Sequence, residues 1–389
     1  MTAMYSRILQ SPTRSFFLFG ARGTGKSTWL RASFPGAVRI DLLDEARYQR
    51  YLADPGLFRL ELNAAPDGSR VVVDEVQRLP SLLNEVHRQI EERQLRFALT
   101  GSSARKIRRA GVNLLAGRAQ HRSMYAFCPE ELGADYDLER ALTYGTLPLI
   151  WASDSPGEDL DAYVRLYLKE EIQGEALVRN LPGFARFLPI AGLLHGQVLS
   201  ISNLARDAGV ARTTANDYLD VLEDTLLVRR LPAFEPKLRV RERHHPKLYW
   251  LDPGPVRTLA RRRGAPSQEE RGPLFEGIIH QLLCVYRDTR DAFDELTYWS
   301  PADAKATEVD FVATRGDEHV AVEVKATSRL RDDHFKGLRA IAPLQGLRRR
   351  VLVLPETEPM RTDDAIDVWS LQRFSDVLAA GGLFEPSQR

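Results

Sequence analysis

The sequence predicts an α/β protein whose first domain, residues 1–150, is a mainly parallel β-sheet covered by helices. Short apolar runs with the composition of strands alternate there with stretches of helical periodicity, of which Leu82–Glu92 is the clearest. The strand-like runs are Ser15–Phe19, Ala37–Leu42, Arg70–Val73 and Arg96–Thr100. The chain has 389 residues. At about 100–200 residues per domain, this length allows two to three domains.

The middle of the chain, residues 151–260, predicts a helical and winged-helix domain. Tyr163–Arg179 has apolar residues at helical spacing, and residues 201–222 have the pattern of a helix, a turn and a second helix. The runs 226–234 and 247–251 are typical of a β-ribbon. A helix-turn-helix followed by a ribbon is the order of elements in a winged helix.

The sequence of the third domain, residues 268–389, predicts a second α/β fold. A polar linker rich in turn-forming residues, 261–268, precedes a helix at Leu274–Tyr286. Three strands, a second helix and a last strand follow at Leu296–Trp299, Glu308–Ala313, His319–Lys325, Asp333–Ile341 and Arg350–Leu354.

Composition excludes several classes of protein. Lys and Arg number 54 against 53 Asp and Glu, so the net charge of +1 gives no global attraction to a polyanion, and any nucleic-acid surface must come from local clusters. The two cysteines, Cys128 and Cys284, are far apart, which excludes a disulfide scaffold or a cysteine-based zinc site. Neither a signal peptide nor an apolar run of membrane-spanning length is visible, so we expect a cytoplasmic protein without a membrane partner.

The strongest motif is a glycine-rich loop that directly follows the first apolar run and fits G-x-x-x-x-G-K-[ST]. Its glycines free the backbone to curl, so that N–H groups can point at the β- and γ-phosphates of ATP. Lys26 would supply a positive charge and Ser27 a hydroxyl ligand for Mg²⁺. The predicted ATP-binding residues are Gly20, Ala21, Arg22, Gly23, Thr24, Gly25, Lys26, Ser27 and Thr28. The alternative, a glycine-rich turn that matches by accident, is disfavoured by the strand before it and the helix after it.

A second motif agrees with the loop. The apolar run Arg70–Val73 ends in two acids, Asp74 and Glu75. Asp74 would hold Mg²⁺ through water, and Glu75 would orient and deprotonate the attacking water. Alone, such a run is usually only the end of a strand. Together with the loop it indicates an ATPase rather than a small-molecule kinase, because Glu75 suits water as the nucleophile.

Two further residues could act on the γ-phosphate. The run Arg96–Thr100 ends in hydroxyl side chains, and in sheets of this kind it lies between the two motif strands. Thr100 or Ser102 could therefore sense the γ-phosphate, and an ordinary polar loop is the alternative. Arg118, in a turn, could reach charge that develops in the transition state, in cis or from a neighbouring chain. A trans role would require a homo-oligomeric ring or filament.

These motifs, in this order, resemble a large prokaryotic family of AAA-type ATPases that carries a C-terminal domain of unknown function. The resemblance spans most of the chain and rests on Gly20–Thr28, Val71–Glu75, Leu99–Ser103, Leu115–Arg118, Tyr167–Ile172, the helix-turn-helix segment and Leu274–Glu276. It implies an α/β fold with an AAA-type P-loop NTPase sheet, a winged-helix-like middle and a nuclease-like C-terminal domain.

Independently of this resemblance, the third domain contains a set of carboxylates and a lysine. Strand alternation puts Glu323 and Lys325 on one face, and a hairpin with the preceding strand could bring Asp310 beside Glu323. Two carboxylates there could hold Mg²⁺ or Mn²⁺, while Lys325 positions or activates water against a phosphodiester. The arrangement resembles the PD-(D/E)xK nuclease core, and Glu276 on the preceding helix matches the additional acid of many such nucleases.

The predicted metal ligands are therefore Ser27 and Asp74 at the ATP site and Glu276, Asp310 and Glu323 at the nuclease-like site. Two alternatives stay open for the second set. It could be an exposed ion-pair face, because an E-x-K pattern is common on half-exposed strands, or a nuclease-like fold without cleavage activity.

The signals for nucleic-acid binding conflict. Residues 212–216 open the helix that would enter a groove, yet Asp217 and Asp220 lie on that helix, so a protein-packing winged helix is the alternative. The basic run 237–247 lies where a wing could contact phosphates. The other basic clusters, which are most often solvated faces, are 105–109, 261–263 and 348–350.

The sequence thus predicts a Mg²⁺-dependent ATPase that binds DNA and remodels or cleaves it, with ATP hydrolysis coupled to the C-terminal site. The competing function is an ATP-dependent molecular switch whose nuclease-like domain is catalytically inactive and recognises a protein or DNA partner. Near-zero net charge and the acidic helix favour the switch, whereas the complete carboxylate–lysine set favours the nuclease.

Overall fold

The computed structural model describes residues 5–101, 115, 117–167, 180–235, 245–301 and 307–385. Its internal contacts form two compact units. The N-terminal unit comprises Leu9–Tyr125 and the short segment Asp224–Leu227. The C-terminal unit comprises Met1–Ile8, Ala126–Glu223 and Val228–Arg389. The three domain ranges given above, 1–150, 151–260 and 268–389, stay predictions.

The N-terminal unit is built on a five-stranded, wholly parallel sheet. Its strands are β1 (Ser15–Phe19), β2 (Val38–Asp41), β3 (Arg70–Asp74), β4 (Arg96–Gly101) and β5 (Ala119–Ser123). Their spatial order is β2-β3-β4-β1-β5. The four predicted strands are confirmed, and β4 lies between β1 and β3 as expected. The sequence of β5, AQHRS, lacks the apolar alternation that would have marked it as a strand.

Helices cover both faces of this sheet because successive strand residues point into two different cores. The helices are α1 (Lys26–Ser33), α2 (Glu45–Ala53), α3 (Gly56–Asn63) and α4 (Leu82–Arg93). Phe17 and Leu99 face the core that includes side chains of α2, α3 and α4. Phe16 and Ala98 face the core that includes side chains of α1. Leu226, from the segment Asp224–Leu227, packs against the first core and has a left-handed backbone with φ of 60°.

The helices that follow in chain order are α5 (Pro129–Leu132), α6 (Leu138–Tyr144), α7 (Pro148–Trp151), α8 (Pro156–Ala162), α9 (Leu181–Leu193), α10 (Ile201–Ala208), α11 (Arg212–Asp224), α12 (Pro253–Leu259), α13 (Gln268–Arg290), α14 (Lys336–Ala340) and α15 (Leu371–Ala379). The predicted helix Tyr163–Arg179 is a short π-helical stretch at Tyr163–Tyr167, and residues 168–179 lie outside the described part. In the described ranges, no helix has the length and apolar character needed to cross a membrane.

Two helices and three strands occupy the region for which the sequence predicts a helix-turn-helix and a ribbon. A turn at Gly209 separates α10 from α11. β7 (Val228–Leu231) and β6 (Gln197–Val198) pair antiparallel with the two edges of β8 (Lys247–Trp250), which gives the order β6-β8-β7. Residues 236–244, where a wing tip would lie, are outside the described residues.

The C-terminal unit also contains a six-stranded mixed sheet. Its strands are β9 (Glu295–Trp299), β10 (Val309–Arg315), β11 (Glu318–Val324), β12 (Leu347–Leu354), β13 (Met360–Arg361) and β14 (Asp367–Ser370), in the order β13-β14-β12-β11-β10-β9. Neighbours from β9 to β11 are antiparallel, whereas β11, β12 and β14 run parallel. The predicted strands are confirmed. The predicted helix Asp333–Ile341 is a 3₁₀ turn, Asp332–Phe335, followed by the short helix α14.

The two faces of this sheet pack against different helices. Leu338 of α14 packs in one core with Val309 and Ala321 of the sheet. On the other face, the ring of His280, from α13, lies 6.0 Å from that of Phe311, measured between centroids. In chain order, α13, β9, β10, β11, α14 and β12 give a helix, three strands, a helix and a strand.

We expect the substitution Leu99→Ala in β4 to destabilise the N-terminal unit by about 2–5 kcal/mol, because it deletes a fully buried side chain at the centre of the sheet. Leu60→Ala, at a position that is 60% exposed, is the matched control and should cost under about 0.5 kcal/mol. Urea unfolding followed by hydrogen exchange of peptides from β1 and β4 measures both effects. Equal effects of the two substitutions would contradict this core.

Candidate functional site

The phosphate-binding loop joins the end of β1 to the start of α1. Lys26 is the first residue of α1, and Gly25 before it has a left-handed backbone with φ of 87°. Gly20 lies so close to the chain after β5 that an added Cβ atom would come within 2.6 Å of the carbonyl oxygen of Met124. A side chain at either glycine would therefore distort the loop. The N–H groups at the start of α1 have no helical partner and suit an anion.

The other predicted loop residues lie in this turn or in the first turn of α1. Ala21 and Thr24 are buried, and the Thr24 hydroxyl donates to the Ala21 carbonyl at 2.7 Å. Arg22 and Thr28 are exposed. The buried pair fixes the shape of the loop, and the exposed pair lies at its surface.

Lys26 is buried, with 6% of its surface exposed. Its Nζ donates to the carbonyl oxygens of Gly20 at 2.7 Å and Ala21 at 3.3 Å. These contacts hold the ammonium at the loop, where it could interact with an anionic phosphate.

Asp74, the last residue of β3, connects the loop to β4. Its Oδ2 accepts from the Ser27 hydroxyl at 2.6 Å, and its Oδ1 accepts from the Thr100 hydroxyl. These side chains meet because the carboxyl ends of adjacent parallel strands lie at the same edge of the sheet. A hydroxyl and a carboxylate are oxygen ligands of the kind that Mg²⁺ prefers, so this donor set fits the metal of an ATP complex. Ser102, the other predicted sensor, lies outside the described residues.

Glu75 follows Asp74 with a left-handed backbone, φ 58°, which is uncommon for a residue other than glycine. Its N–H donates to the Thr100 hydroxyl at 3.1 Å, and its carboxylate accepts from Gln77 Nε2 at 2.5 Å. Gln77 is 5% exposed and was missed in the sequence, where its only signal is one amide shortly after two acids. Glu75 is thus fixed through both its backbone and its side chain.

Arg118 is not brought to the phosphate loop of its own chain. It precedes β5, whose first residue, Ala119, pairs with Ser15 at the start of β1, whereas the loop follows the end of β1 at Phe19. Arg118 forms an ion pair with Glu91 of α4. The length of β1 separates Arg118 from the loop of its own chain, which disfavours the role in cis, and the role in trans stays a prediction.

The second predicted site lies on the β10–β11 hairpin. Phe311 pairs with Val322, so the adjacent residues Asp310 and Glu323 lie next to each other on the hairpin, and they are only 4% and 6% exposed. Asp310 Oδ2 accepts from the N–H of Val324 at 2.9 Å. Lys325 Nζ lies 2.5 Å from Glu323 Oε1. The hairpin therefore brings together three of the four residues predicted for this site, and Glu276, the fourth, reaches the same place from α13.

Lys247, at the start of β8, places its ammonium among these acids. Its Nζ lies 2.9 Å from Glu276 Oε1 and 3.3 Å from Asp310 Oδ1, and it also forms an ion pair with Glu308. Tyr249, two residues further along β8, donates its hydroxyl proton to the same oxygen of Glu276. The acids that surround this lysine are called the carboxylate cluster below: Glu276, Glu308, Asp310 and Glu323.

This position of Lys247 corrects one interpretation made from the sequence. Lys247 is the last residue of the basic run 237–247, which was expected to contact phosphates through a wing. Its side chain is only 3% exposed and is paired with acids. Residues 237–244 lie outside the described residues, so the rest of that expectation stays a prediction.

The charges in the carboxylate cluster shift one another's pKa values. Burial and the nearby Asp310 raise the pKa of Glu276 to about 7 and raise the pKa of Glu323 well above its ordinary value. Burial alone would also raise the pKa of Asp310, but Lys247 and Lys325 outweigh it and lower that pKa. Asp310 therefore keeps its negative charge most readily, while Glu276 and Glu323 hold protons more tightly than ordinary carboxyl groups.

The residues as they stand do not fit a metal ion at the carboxylate cluster. In the part of the chain that the structure describes, no group of three or more His, Cys, Asp or Glu side chains is arranged to hold one. The Lys247 ammonium contacts two of the three predicted ligands, Glu276 and Asp310, and would repel a second cation there. Among the described residues, Oε2 of the third, Glu323, has no hydrogen-bond partner although it is buried.

The predicted nucleic-acid surface is only partly described. On α11, Asp217 is exposed, while Asp220 and Glu223 form ion pairs with Arg230 of β7. Arg212, at the start of the helix, is exposed. In the cluster 348–350, each arginine is paired with an acid, namely Glu318, Asp367 and Asp364 in chain order. The cluster 261–263 is exposed, and the cluster 105–109 lies outside the described residues.

Comparisons with known proteins agree with the nucleotide site. Residues 12–133 match the family model described as an AAA domain. Residues 135–265 and 271–374 match two domains of unknown function, DUF8612 and DUF4143. Uncharacterized proteins of Mycobacterium bovis and Mycobacterium tuberculosis are each 27% identical over 325 residues, which covers 80% of this chain and 70% of theirs.

Solved structures with some similarity include a Walker-type ATPase of Pyrococcus abyssi. It is 17% identical with a TM-score of 0.43, over 63% of this chain and 90% of the other. A protein of Vibrio cholerae is 14% identical with a TM-score of 0.22, over 95% of this chain and 96% of the other. The parallel sheet, the phosphate loop and the match to the AAA family model together support a P-loop ATPase domain at residues 12–133.

Proposed function

We propose that this chain is a Mg²⁺-dependent ATPase that works as a nucleotide-controlled switch, with a nuclease-like C-terminal fold that recognises a partner without cutting it. The observation that favours the switch over the nuclease is the ammonium of Lys247 in contact with Glu276 and Asp310. Two of the three acids that a cleaving site would need for its metal are engaged by the chain itself.

At the ATP site, bound Mg²⁺ would neutralise charge on the β- and γ-phosphates. Ser27 and Asp74 would hold it, directly or through water, and Lys26 would contact the phosphates. Glu75 would orient the attacking water and accept its proton, and Gln77 would position the Glu75 carboxylate. Thr100 contacts both Asp74 and the Glu75 backbone. A contact between Thr100 and the γ-phosphate could therefore change the positions of both acids.

The order of elements in the C-terminal unit supports a nuclease-like fold. A helix, three antiparallel strands, a second helix and a strand parallel to the third form a compact core in α13, β9–β11, α14 and β12. Asp310 and Glu323 face each other on its central hairpin, at the positions predicted for a PD-(D/E)xK site.

Metal-dependent cleavage of DNA is the second candidate function. It is favoured by the pair Asp310 and Glu323 with Lys325 at 2.5 Å from Glu323, which is the arrangement that such chemistry needs. It would require Lys247 to leave the carboxylate cluster before a metal could bind. Because of this requirement, we favour the switch over DNA cleavage as the function.

A protein partner fits the described surface of the helix-turn-helix better than DNA does. The exposed Asp217 on α11 and the balanced net charge of +1 both disfavour approach to a polyanion. ATPase rates with and without duplex DNA discriminate between the partners. Stimulation by DNA, falling as salt rises, would shift the assignment to a DNA-directed switch.

We expect Lys26→Ala to lower nucleotide affinity and to reduce ATP turnover by at least about a hundredfold, because it removes the cation that contacts the phosphates. Lys336→Ala, which changes an exposed lysine of α14, is the matched control and should leave turnover unchanged. Steady-state phosphate release and fluorescent-nucleotide titration measure the two quantities. Unchanged turnover in the Lys26 variant would refute the ATP site.

We expect Glu75→Gln to separate binding from hydrolysis. The amide cannot accept the proton of water, so turnover should fall by about 10²–10⁴ while ATP binding is retained. Glu92→Gln, on the exposed surface of α4, is the control and should hydrolyse ATP normally. Equal loss of binding and turnover in the Glu75 variant would instead show that Glu75 acts in nucleotide binding.

We expect the wild-type chain to leave labelled linear, single-stranded and branched DNA intact with Mg²⁺ or Mn²⁺, with and without ATP. A nuclease of known activity in the same buffers shows that each substrate can be cut. Cutting by the wild type that disappears in Asp310→Ala would establish the second candidate function and would show whether ATP controls it.

A further inference from the structure

The carboxylate cluster has a cation in it already, and that cation is part of the chain. A lysine ammonium has three N–H donors, and Lys247 meets three acids, Glu276, Glu308 and Asp310. Two of these contacts are also hydrogen bonds, to Glu276 and Asp310, so the ammonium is paired with acids of its own unit at this position. A charged group that is 97% buried is tolerated only when it is paired in this way.

The strand β8 fixes the position of Lys247. Lys247 and Tyr249 alternate with Leu248 and so lie on the same side of the strand, where both contact Glu276. β8 is the central strand of its sheet and is paired on both edges by β6 and β7. The donors therefore come from a fixed backbone rather than from a loose surface chain.

Charge balance in the cluster agrees with an internal cation. Four carboxyl groups meet two ammonium groups, Lys247 and Lys325.

One buried oxygen of the cluster, Oε2 of Glu323, is available to a cation that binds more oxygen atoms than an ammonium group does. Glu323 is 94% buried, and its Oε2 has no hydrogen-bond partner among the described residues. Glu323 and Asp310 adjoin the paired residues Val322 and Phe311, and Asp310 Oδ1 is in contact with Lys247. A divalent ion in place of the ammonium could use the oxygens of Glu276, Asp310 and Glu323 together, because Mg²⁺ and Mn²⁺ take up to six oxygen ligands.

We propose that Lys247 is the resident cation of the carboxylate cluster, that it excludes divalent metal from the folded chain, and that its removal creates a Mg²⁺ or Mn²⁺ site. This inference rests on the proposed non-cleaving C-terminal fold and adds the cause, which is electrostatic exclusion by one side chain. A purely structural ion pair makes a different prediction, since deleting its lysine would leave unpaired acids but would create no selective metal site.

The test is Mn²⁺ binding, followed by electron paramagnetic resonance without nucleotide, on the full chain. Lys247→Met removes the ammonium and keeps the length of the side chain, and it should bind one Mn²⁺ at least about tenfold more tightly than the wild type. Lys336→Met is the matched control and should behave as the wild type does. The double variant Lys247→Met with Asp310→Asn should lose the gained site.

A thermal-unfolding readout accompanies the titration. Lys247→Met should unfold at a lower temperature than the wild type in EDTA, because it leaves buried acids unpaired, and Mn²⁺ should restore much of the difference. If Lys247→Met does not fold, Lys247→Gln takes its place, since the amide keeps one donor for Glu276 but removes the charge. A folded variant without gained Mn²⁺ binding would overturn the proposal.

If neither variant folds, Mn²⁺ titration of the wild type tests whether Lys247 excludes the metal. Tight Mn²⁺ binding to the wild type that Asp310→Asn abolishes would overturn exclusion by Lys247, and its absence at millimolar Mn²⁺ would support it. These results are independent of the proposed ATPase switch. That proposal fails on the turnover of Lys26→Ala or on DNA cleavage, neither of which enters the metal titration.

Discussion

The requirement that a buried charge be paired governs both units of this protein. Lys26 and Lys247 are each more than nine-tenths buried, and oxygen atoms of the chain hold both ammonium groups. Lys26 donates to the carbonyl oxygens of Gly20 and Ala21, which fix its ammonium at the phosphate loop. Lys247 forms ion pairs with three carboxylates, which fix its ammonium in the carboxylate cluster. The first lysine lies where a phosphate is expected, and the second lies where the sequence predicts a metal ion.

Sheet topology explains why the nucleotide site could be foreseen from the sequence. The apolar runs in the sequence predicted the strands β1, β3 and β4. The carboxyl ends of neighbouring parallel strands lie at the same edge of a sheet. The contacts of Asp74 with Ser27 and Thr100 follow from that constraint. The hairpin that sets Asp310 against Glu323 was foreseeable for a similar reason, since alternation fixes which residues of two paired strands share a face.

What the sequence could not reveal depended on distant partners. Lys247 closes a run of basic residues, and such a run usually indicates a solvated surface. Its partners Glu276 and Asp310 lie 29 and 63 positions further along the chain. The position of Arg118 could not be predicted for another reason. The polar strand β5 gave no sign of its direction or its pairing, so nothing in the sequence placed Arg118 at the opposite end of β1 from the loop.

The short segment Asp224–Leu227 has a practical consequence for dissecting the molecule. By its contacts it belongs with Leu9–Tyr125, although about a hundred positions of the chain separate them. A fragment truncated after Tyr125 would keep every strand of the first sheet but would lose Leu226 from the core against which it packs. The ATPase fold is thus assembled from two separate stretches of sequence. A single cut after Tyr125 therefore separates the two stretches, and a fragment that keeps both must extend to Leu227.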